Sequence, residues 1–208
     1  MKLNKAISAN DLLSRKFRSM PFEGPWADSF GLQERTGAWL IWGESGNGKT
    51  SLALQLGKYL ADLGNNIVYN SMEEGCSLTM SRAFMRHNIQ DVAKKFHLLD
   101  REPYPELMQR LSRRKSPDVI FIDSIQYFNI TREQYKDMVN TYRDKLFILA
   151  SHADGRLPDG AVARSIRYDA NVKIRVEGYK AHPTGRDVGG EPFTIWSLGA
   201  EAYNPQNI

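Results

Sequence analysis

Eight consecutive residues, Gly43-Glu44-Ser45-Gly46-Asn47-Gly48-Lys49-Thr50, bring together the groups needed to hold a polyphosphate. Several backbone N–H groups must converge on the phosphates, which requires a loop free of bulky Cβ atoms, and the helix that follows adds the positive end of its dipole. Gly43, Gly46 and Gly48 supply that freedom. Lys49 is then placed to reach the β- and γ-phosphates, and the Thr50 hydroxyl to join a Mg²⁺ shell. Glu44, Ser45, Asn47 and Ser51 complete the stretch expected to bind the nucleotide. The competing reading is an ordinary glycine-rich turn. Against it, Trp39 to Trp42 is a short apolar run suited to a buried strand, and Leu52, Leu56, Tyr59, Leu60 and Leu63 recur at helical spacing over Ser51 to Leu63.

Two other places offer carboxylates to such a site. Val119-Ile120-Phe121-Ile122-Asp123 is an unbroken apolar run ending in an acid. That is the pattern of a strand covered on both faces, with its carboxylate at the end where ligands of parallel sheets collect. Asp123 is therefore expected to hold Mg²⁺ opposite Thr50, directly or through water; the alternative is a plain strand cap. Glu73 and Glu74 follow the run Ile67 to Met72 in the same way, and one of them could orient or deprotonate an attacking water. Glu73 is the choice here, and a solvated acidic pair is the alternative.

These residues need a scaffold, and the remaining pattern describes one. Ile7 to Phe17 suits a short helix capped by Ser8 with Leu12, Leu13 and Phe17 on its apolar side. Met20 to Gly37, with Pro21, Gly24, Pro25 and Gly31, is a turn-rich stretch expected to wrap the core. Helices are expected at Ser77 to His87, Tyr104 to Lys115 and Thr131 to Tyr142, and strands at Phe96 to Leu99 and Leu146 to Ala150. Val172 to Val176 and Phe193 to Trp196 alternate like antiparallel or half-buried strands joined by a glycine-rich connection. Such alternation predicts an α/β, three-layer fold around a mostly parallel sheet.

Composition adds limits. The 208 residues suit one domain, and no linker-like stretch divides them. The lone Cys76 excludes a disulfide within the chain, and no early apolar run resembles a signal peptide or membrane span, so a cytoplasmic protein without membrane contact is expected. Lysine and arginine exceed acidic residues by 28 to 24, a weak hint of nucleic acid that a solvated surface would equally explain. His87, His97, His182 and Cys76 are too scattered for metal-ligand spacing and read as surface or boundary residues. Trp26, Trp39, Trp42 and Trp196 suit core or edge positions, with Trp26 also able to meet a nucleotide base.

The placements of Gly43 to Thr50, Ser71-Met72-Glu73-Glu74 and Asp123-Ser124 resemble the RecA-type branch of P-loop ATPases, in particular the group that holds the hexameric replicative helicase motor domain and the KaiC-like proteins. The resemblance spans roughly Phe22 to Trp196. It implies a RecA-like core over residues 38–198, preceded by the wrapping segment 1–37 and followed by a tail, 199–208. It also implies ATP and Mg²⁺ as ligands. Members of the group carry Ser-x-Glu-Glu after the second strand and Asp-Ser after the strand that ends in the metal carboxylate, and this chain matches both. Where the family places a polar sensor for the γ-phosphate, often glutamine, this chain has His152 after Ser151.

The resemblance extends to assembly. Asp169-Ala170-Asn171 precedes a strand as the family's Asp-Ala-Asp does, and Lys180, Arg186, Gly189 and Gly190 occupy the region of the family's basic hairpin. Lys180 and Arg186 are thus candidates for charges supplied to a neighbouring subunit's nucleotide, which implies a homo-oligomer, up to a hexamer. The family spacing is shorter, and surface solubilisation is the alternative. Stretches Gln126 to Arg132 and Asp154 to Arg167 correspond to loops that meet single- or double-stranded DNA in the family. The second offers Arg156, Arg164 and Arg167 on a flexible Gly155- and Gly160-bearing loop. Tyr127 and Phe128 could stack on bases or fill the core. Arg110, Arg113, Arg114 and Lys115 suit a helix end or a solvated face.

The leading expectation is an ATP-hydrolysing, DNA-associated motor or remodelling protein of replication or recombination, of the kind phages and mobile elements carry. A KaiC-like nucleotide switch that binds proteins, and a small-molecule kinase, are the alternatives.

Overall fold

The computed structural model describes residues 6–203. The first five residues of the expected wrapping segment and the last five of the expected tail lie outside that range. In chain order the elements are α1 (Ala9–Leu13), β1 (Ser19–Met20), α2 (Pro25–Phe30), β2 (Gln33–Glu34), β3 (Gly37–Trp42), α3 (Lys49–Asp62), β4 (Ile67–Ser71), α4 (Leu78–Arg86) and β5 (Phe96–Asp100). Then come α5 (Tyr104–Leu111), β6 (Val119–Asp123), α6 (Ile125–Phe128), α7 (Arg132–Thr141), β7 (Leu146–Ser151), β8 (Ala153–Asp154) and β9 (Leu157–Pro158). The last are α8 (Ala161–Asp169), β10 (Val172–Glu177), β11 (Lys180–Gly185), β12 (Phe193–Thr194) and α9 (Ser197–Ala202).

Eight strands form one sheet in the order β12-β11-β10-β3-β7-β6-β4-β5. From β10 to β5 every pairing is parallel, and β11 and β12 close one edge antiparallel. Strand residues alternate between two apolar layers. Trp39, Ile41, Tyr69, Phe121 and Ile148 pack under α3 with Leu52, Leu56 and Leu60. Leu40, Trp42, Ile120, Ile122 and Leu149 pack against Leu107, Met138 and Ile166 from α5, α7 and α8. This is why the central strands read as continuous apolar runs: helices cover both sides. The three-layer, mostly parallel RecA-like P-loop fold expected from the sequence is the fold of the protein.

Local chemistry sets the ends of these elements. Ser77 caps α4 by accepting from the Met80 N–H, and Thr131 forms a capping box with Gln134 at α7. Met20 to Gly37 does wrap the core: Phe22, Trp26 and Phe30 stack with Trp39, Tyr59 and Phe193.

Four sequence expectations are corrected, and a fifth, open between two roles, is divided. The N-terminal helix has its Ser8 cap, closed by Asp11, but stops at Leu13 and buries none of its residues, and Leu12, Leu13 and Phe17 are exposed. Helix α5 ends at Leu111, its last buried position, and the Ser112 hydroxyl then donates to the Gln109 carbonyl, so Arg113 to Lys115 follow the helix. Asp154 to Arg167 is not a flexible loop: it is the β8-β9 hairpin and most of α8, whose Ala163 and Ile166 are buried in the second layer. The connection from Lys180 is a strand as far as Gly185, and Phe193 to Trp196 shortens to two strand residues. Tyr127 and Phe128 separate on the four-residue α6, with Phe128 in the core and Tyr127 53% exposed.

Candidate active site

The phosphate loop joins β3 to α3 at the carboxyl end of the parallel strands. Gly46 and Gly48 take φ values of 76° and 100°, a region that side chains rarely tolerate. Gly43 is required for a different reason, since a Cβ there would lie 2.2 Å from the Val176 carbonyl oxygen on β10. Asn47 ties the loop to the β10-β11 turn, its Oδ1 accepting from the Gly178 N–H at 2.7 Å. The Lys49 ammonium donates to the carbonyls of Gly43 and Glu44 at 2.8 and 3.0 Å, which holds it over the loop. Burial lowers its pKa, against the opposing pull of Asp123, Glu73 and Glu44.

Thr50 and Asp123 meet as expected. The Thr50 hydroxyl donates to Asp123 Oδ2 at 3.1 Å. The buried Tyr69 hydroxyl, on β4, donates to the same oxygen in a very short contact. Burial raises the Asp123 pKa, and these two hydrogen bonds oppose the rise. The Asp123-Ser124 peptide is cis. The Asp123 carbonyl accepts from the N–H groups of Met72 and Glu73 at 2.7 and 3.1 Å, setting Glu73 directly beside the end of β6.

The two glutamates then part. The Glu73 carboxylate reaches His152 Nε2 at 3.1 Å and stays partly exposed. Glu74 is turned inward with Oε2 buried and unpaired, and burial, then Asp123 and Glu73, raise its pKa. Arg101 fixes this turn from behind by donating to both glutamate carbonyls. His152 is itself held by Gln126, whose Oε1 accepts from the His152 N–H at 3.2 Å while its amide donates to Ser151 Oγ and the Asp159 carbonyl at 2.9 and 3.0 Å.

One cavity of about 730 Å³ gathers Lys49, Thr50, Ser51, Glu73, Glu74, Asp123 and His152, with Ser45, Gly46 and Gly48 at its floor. Its residues suit a magnesium nucleotide: a hydroxyl and a carboxylate oxygen stand side by side as hard donors, and a loop with no side chain in the way lies next to a lysine. Among the described residues no group of three or more His, Cys, Asp or Glu side chains comes together as a metal site.

Other expected residues lie elsewhere. Lys180 opens β11 opposite Glu177, whereas Arg186 follows Gly185, which pairs with Val172. The two cations thus stand at opposite ends of the strand Lys180–Gly185, roughly 20 Å apart at about 3.4 Å per residue, and neither lines the cavity. Arg164 is paired with Asp154 at 2.6 Å and Arg167 lies over the Trp42 ring. Arg156 alone of those three has no side-chain partner among the described residues. Arg110 is held by Glu102. Trp26 is not in the cavity wall; it stacks on Phe193 at 4.1 Å.

The sequence reading missed five residues that do line the cavity: Arg86 and His87 at the end of α4, and Tyr179, Ile195 and Trp196 before α9. None carries a local signal, since each reaches the loop only through tertiary packing.

Fold and site together define a nucleotide-binding P-loop protein with a RecA-type core. A family model described as an AAA domain matches residues 33–154, more than half of the chain. The chain belongs to that AAA domain family. None of the curated proteins compared with it matches. Among solved structures it is similar to the flagellar accessory protein FlaH of Methanocaldococcus jannaschii, at 16% identity and a TM-score of 0.59, over 91% of this chain and 92% of that one. A KaiC-like protein of the hyperthermophilic archaeon Pyrococcus horikoshii OT3 gives 20% identity and 0.56 over 74% and 80%. A third solved structure, of an ATPase domain, gives 15% and 0.56 over 77% and 81%. No helix among the described residues is long and apolar enough to cross a membrane.

Proposed function

We propose that the protein hydrolyses ATP with Mg²⁺, and that it does so as a homo-oligomer acting on DNA. The observation that supports hydrolysis best is the gathering of Lys49, Thr50, Asp123 and Glu73 on one cavity from three separate segments. The amides of Gly46 to Ser51 would hold the phosphates and Lys49 would balance their charge. Thr50 and Asp123 would hold Mg²⁺, which when bound supplies positive charge against the phosphoryl oxygens. Glu73 orients the attacking water and takes its proton, since its carboxylate lies partly open while that of Glu74 is turned in. His152, after β7, holds the Glu73 carboxylate from across β6.

A ring, up to a hexamer, would let Lys180 or Arg186 serve a neighbouring site, and their separation makes the two separately testable. Loss of turnover without loss of nucleotide binding on Lys180→Ala or Arg186→Ala would identify which one acts. The DNA reading, with a role in replication or recombination, rests on Tyr127 and Arg156, exposed on the segments that follow β6 and β7. Arg164 is already engaged by Asp154 and Arg167 lies over the Trp42 ring, which favours a second reading, a nucleotide switch whose partner is a protein.

The test is ATP hydrolysis measured with and without single-stranded DNA, alongside Lys49→Ala. Turnover that rises with DNA and vanishes in the variant supports the first reading. Turnover indifferent to DNA, with no salt-sensitive DNA binding, supports the switch. No turnover in the parent protein rejects both as ATPase readings.

A further inference from the structure

The cavity extends past the phosphate loop to a wall that the chemistry of phosphate does not use. We infer that Trp196, braced by Tyr179, is a stacking platform for the base of a nucleoside triphosphate. The inference rests on the reading of Gly43 to Thr50 as the phosphate site, and it adds the residues that would hold the other end of the ligand.

Three features of the wall carry the argument. Trp196 is 52% exposed, while Trp39 and Trp42 are buried and Trp26 is stacked within the core. An indole left open to a cavity leaves a large apolar face in water unless a flat partner covers it. Next, the ring is fixed even though it is exposed. Tyr179 meets it edge-on at 5.0 Å and 86°, and Gly199 lies so close beneath it that a Cβ would come within 2.2 Å of Cε3. A rigid aromatic face loses little freedom when a ligand lands on it.

The third feature is registration to the phosphate loop. Asn47 holds the Gly178 N–H, and Tyr179 and Ile195 pack on Gly48, where a Cβ would be 3.3 Å from the tyrosine ring. Gln55, on the helix after the loop, donates to the Ile195 carbonyl at 3.0 Å, and the Ile195 N–H donates to the Tyr179 carbonyl at 2.9 Å. The platform and the phosphate cradle are thus one hydrogen-bonded unit, which suits a ligand with a planar ring at one end and phosphates at the other. Stacking accepts any base, so the chemical class is the nucleoside triphosphate, with purines held more tightly because their ring is larger.

Binding of ATP and of inorganic tripolyphosphate, each with Mg²⁺, to the parent protein, Trp196→Ala and Trp196→Phe tests this. The platform requires that Trp196→Ala weaken ATP about 10-fold or more, leave tripolyphosphate unchanged, and that Trp196→Phe recover most of the loss. Equal ATP affinity in the parent and in Trp196→Ala, with tripolyphosphate still bound by both, overturns the platform and leaves the phosphate site standing. Failure of the parent to bind either ligand overturns the phosphate reading and the platform with it. If Trp196→Ala does not fold, fluorescence decides: ATP should quench the parent protein and not Trp196→Phe, and equal quenching in both rejects the inference.

Discussion

His152 Nε2 stands 3.1 Å from Glu73 Oε2, joining two segments of the cavity across the ends of β4, β6 and β7. A histidine at this position keeps a polar hand on the carboxylate proposed as the base, so the two residues should respond differently to substitution.

Glu73→Gln should lower ATP turnover by about 10²- to 10⁴-fold, the usual worth of a general base, with nucleotide affinity retained. His152→Ala should cost about tenfold, the equivalent of one hydrogen bond to a charged group. His152→Gln keeps a donor for the carboxylate and should keep most of the turnover. Steady-state rates beside equilibrium binding check all three. A Glu73→Gln protein with parental turnover would move the role to Glu74.

Gln126 links α6 to the end of β7 and to the turn before α8 through three hydrogen bonds. Gln126→Leu leaves those partners unsatisfied and should destabilise the fold by about 2 kcal/mol, read by urea denaturation. Amide exchange over residues 153–159 should quicken in the same variant.

Glycines of the phosphate loop should differ in what they tolerate. Gly43→Ala drives a Cβ onto the backbone of Val176, and should cost about 1–3 kcal/mol through forced displacement of β10. Gly46 has open space around it and only its φ of 76° opposes a side chain, so Gly46→Ala should cost about 1 kcal/mol. Chemical denaturation of the two variants side by side checks the order.

Acid should weaken the fold through His87. Burial, then the neighbouring Arg86, lowers its pKa from 6.5, which overrides the support a helix C-terminus gives a charged imidazole. The unfolded chain therefore binds more protons, so this contribution is complete above pH 6.5 and is lost as the pH falls through the lowered value. His182 is lowered in the same direction by burial and Arg175. The melting temperature should fall as the pH drops below 6.5, and less steeply in His87→Met.

Much of the site was legible because its chemistry is local. Gly43 to Thr50 is one continuous segment, and Asp123 and Glu73 each stand at the end of an apolar strand, where period and polarity mark them. The central strands were legible for the same reason, as were the helices that begin after Ser77 and Thr131. The losses came where partners far apart in sequence decide the outcome. Helix α8 fully buries only Ala163 and Ile166, too few for the pattern to outweigh Gly155 and Gly160. Trp196 lies 146 positions after Thr50 and reaches the cavity only because β10, β11 and β12 close the sheet edge beside β3. Trp26 was open to either role by type, and the aromatic stack with Phe193 decided it.

The N–H groups of Met72 and Glu73 both hang on the carbonyl of Asp123. The acid proposed for the metal and the acid proposed for the water are therefore joined at the backbone through a single peptide oxygen, beside the parallel pairing of β4 with β6. Their main chains stay together while the β4-β6 pairing persists. Under the proposed function, movement at the site falls to side chains on the flank, the His152 imidazole and the Gln126 amide that steadies it, which makes that flank the natural lever for anything bound outside.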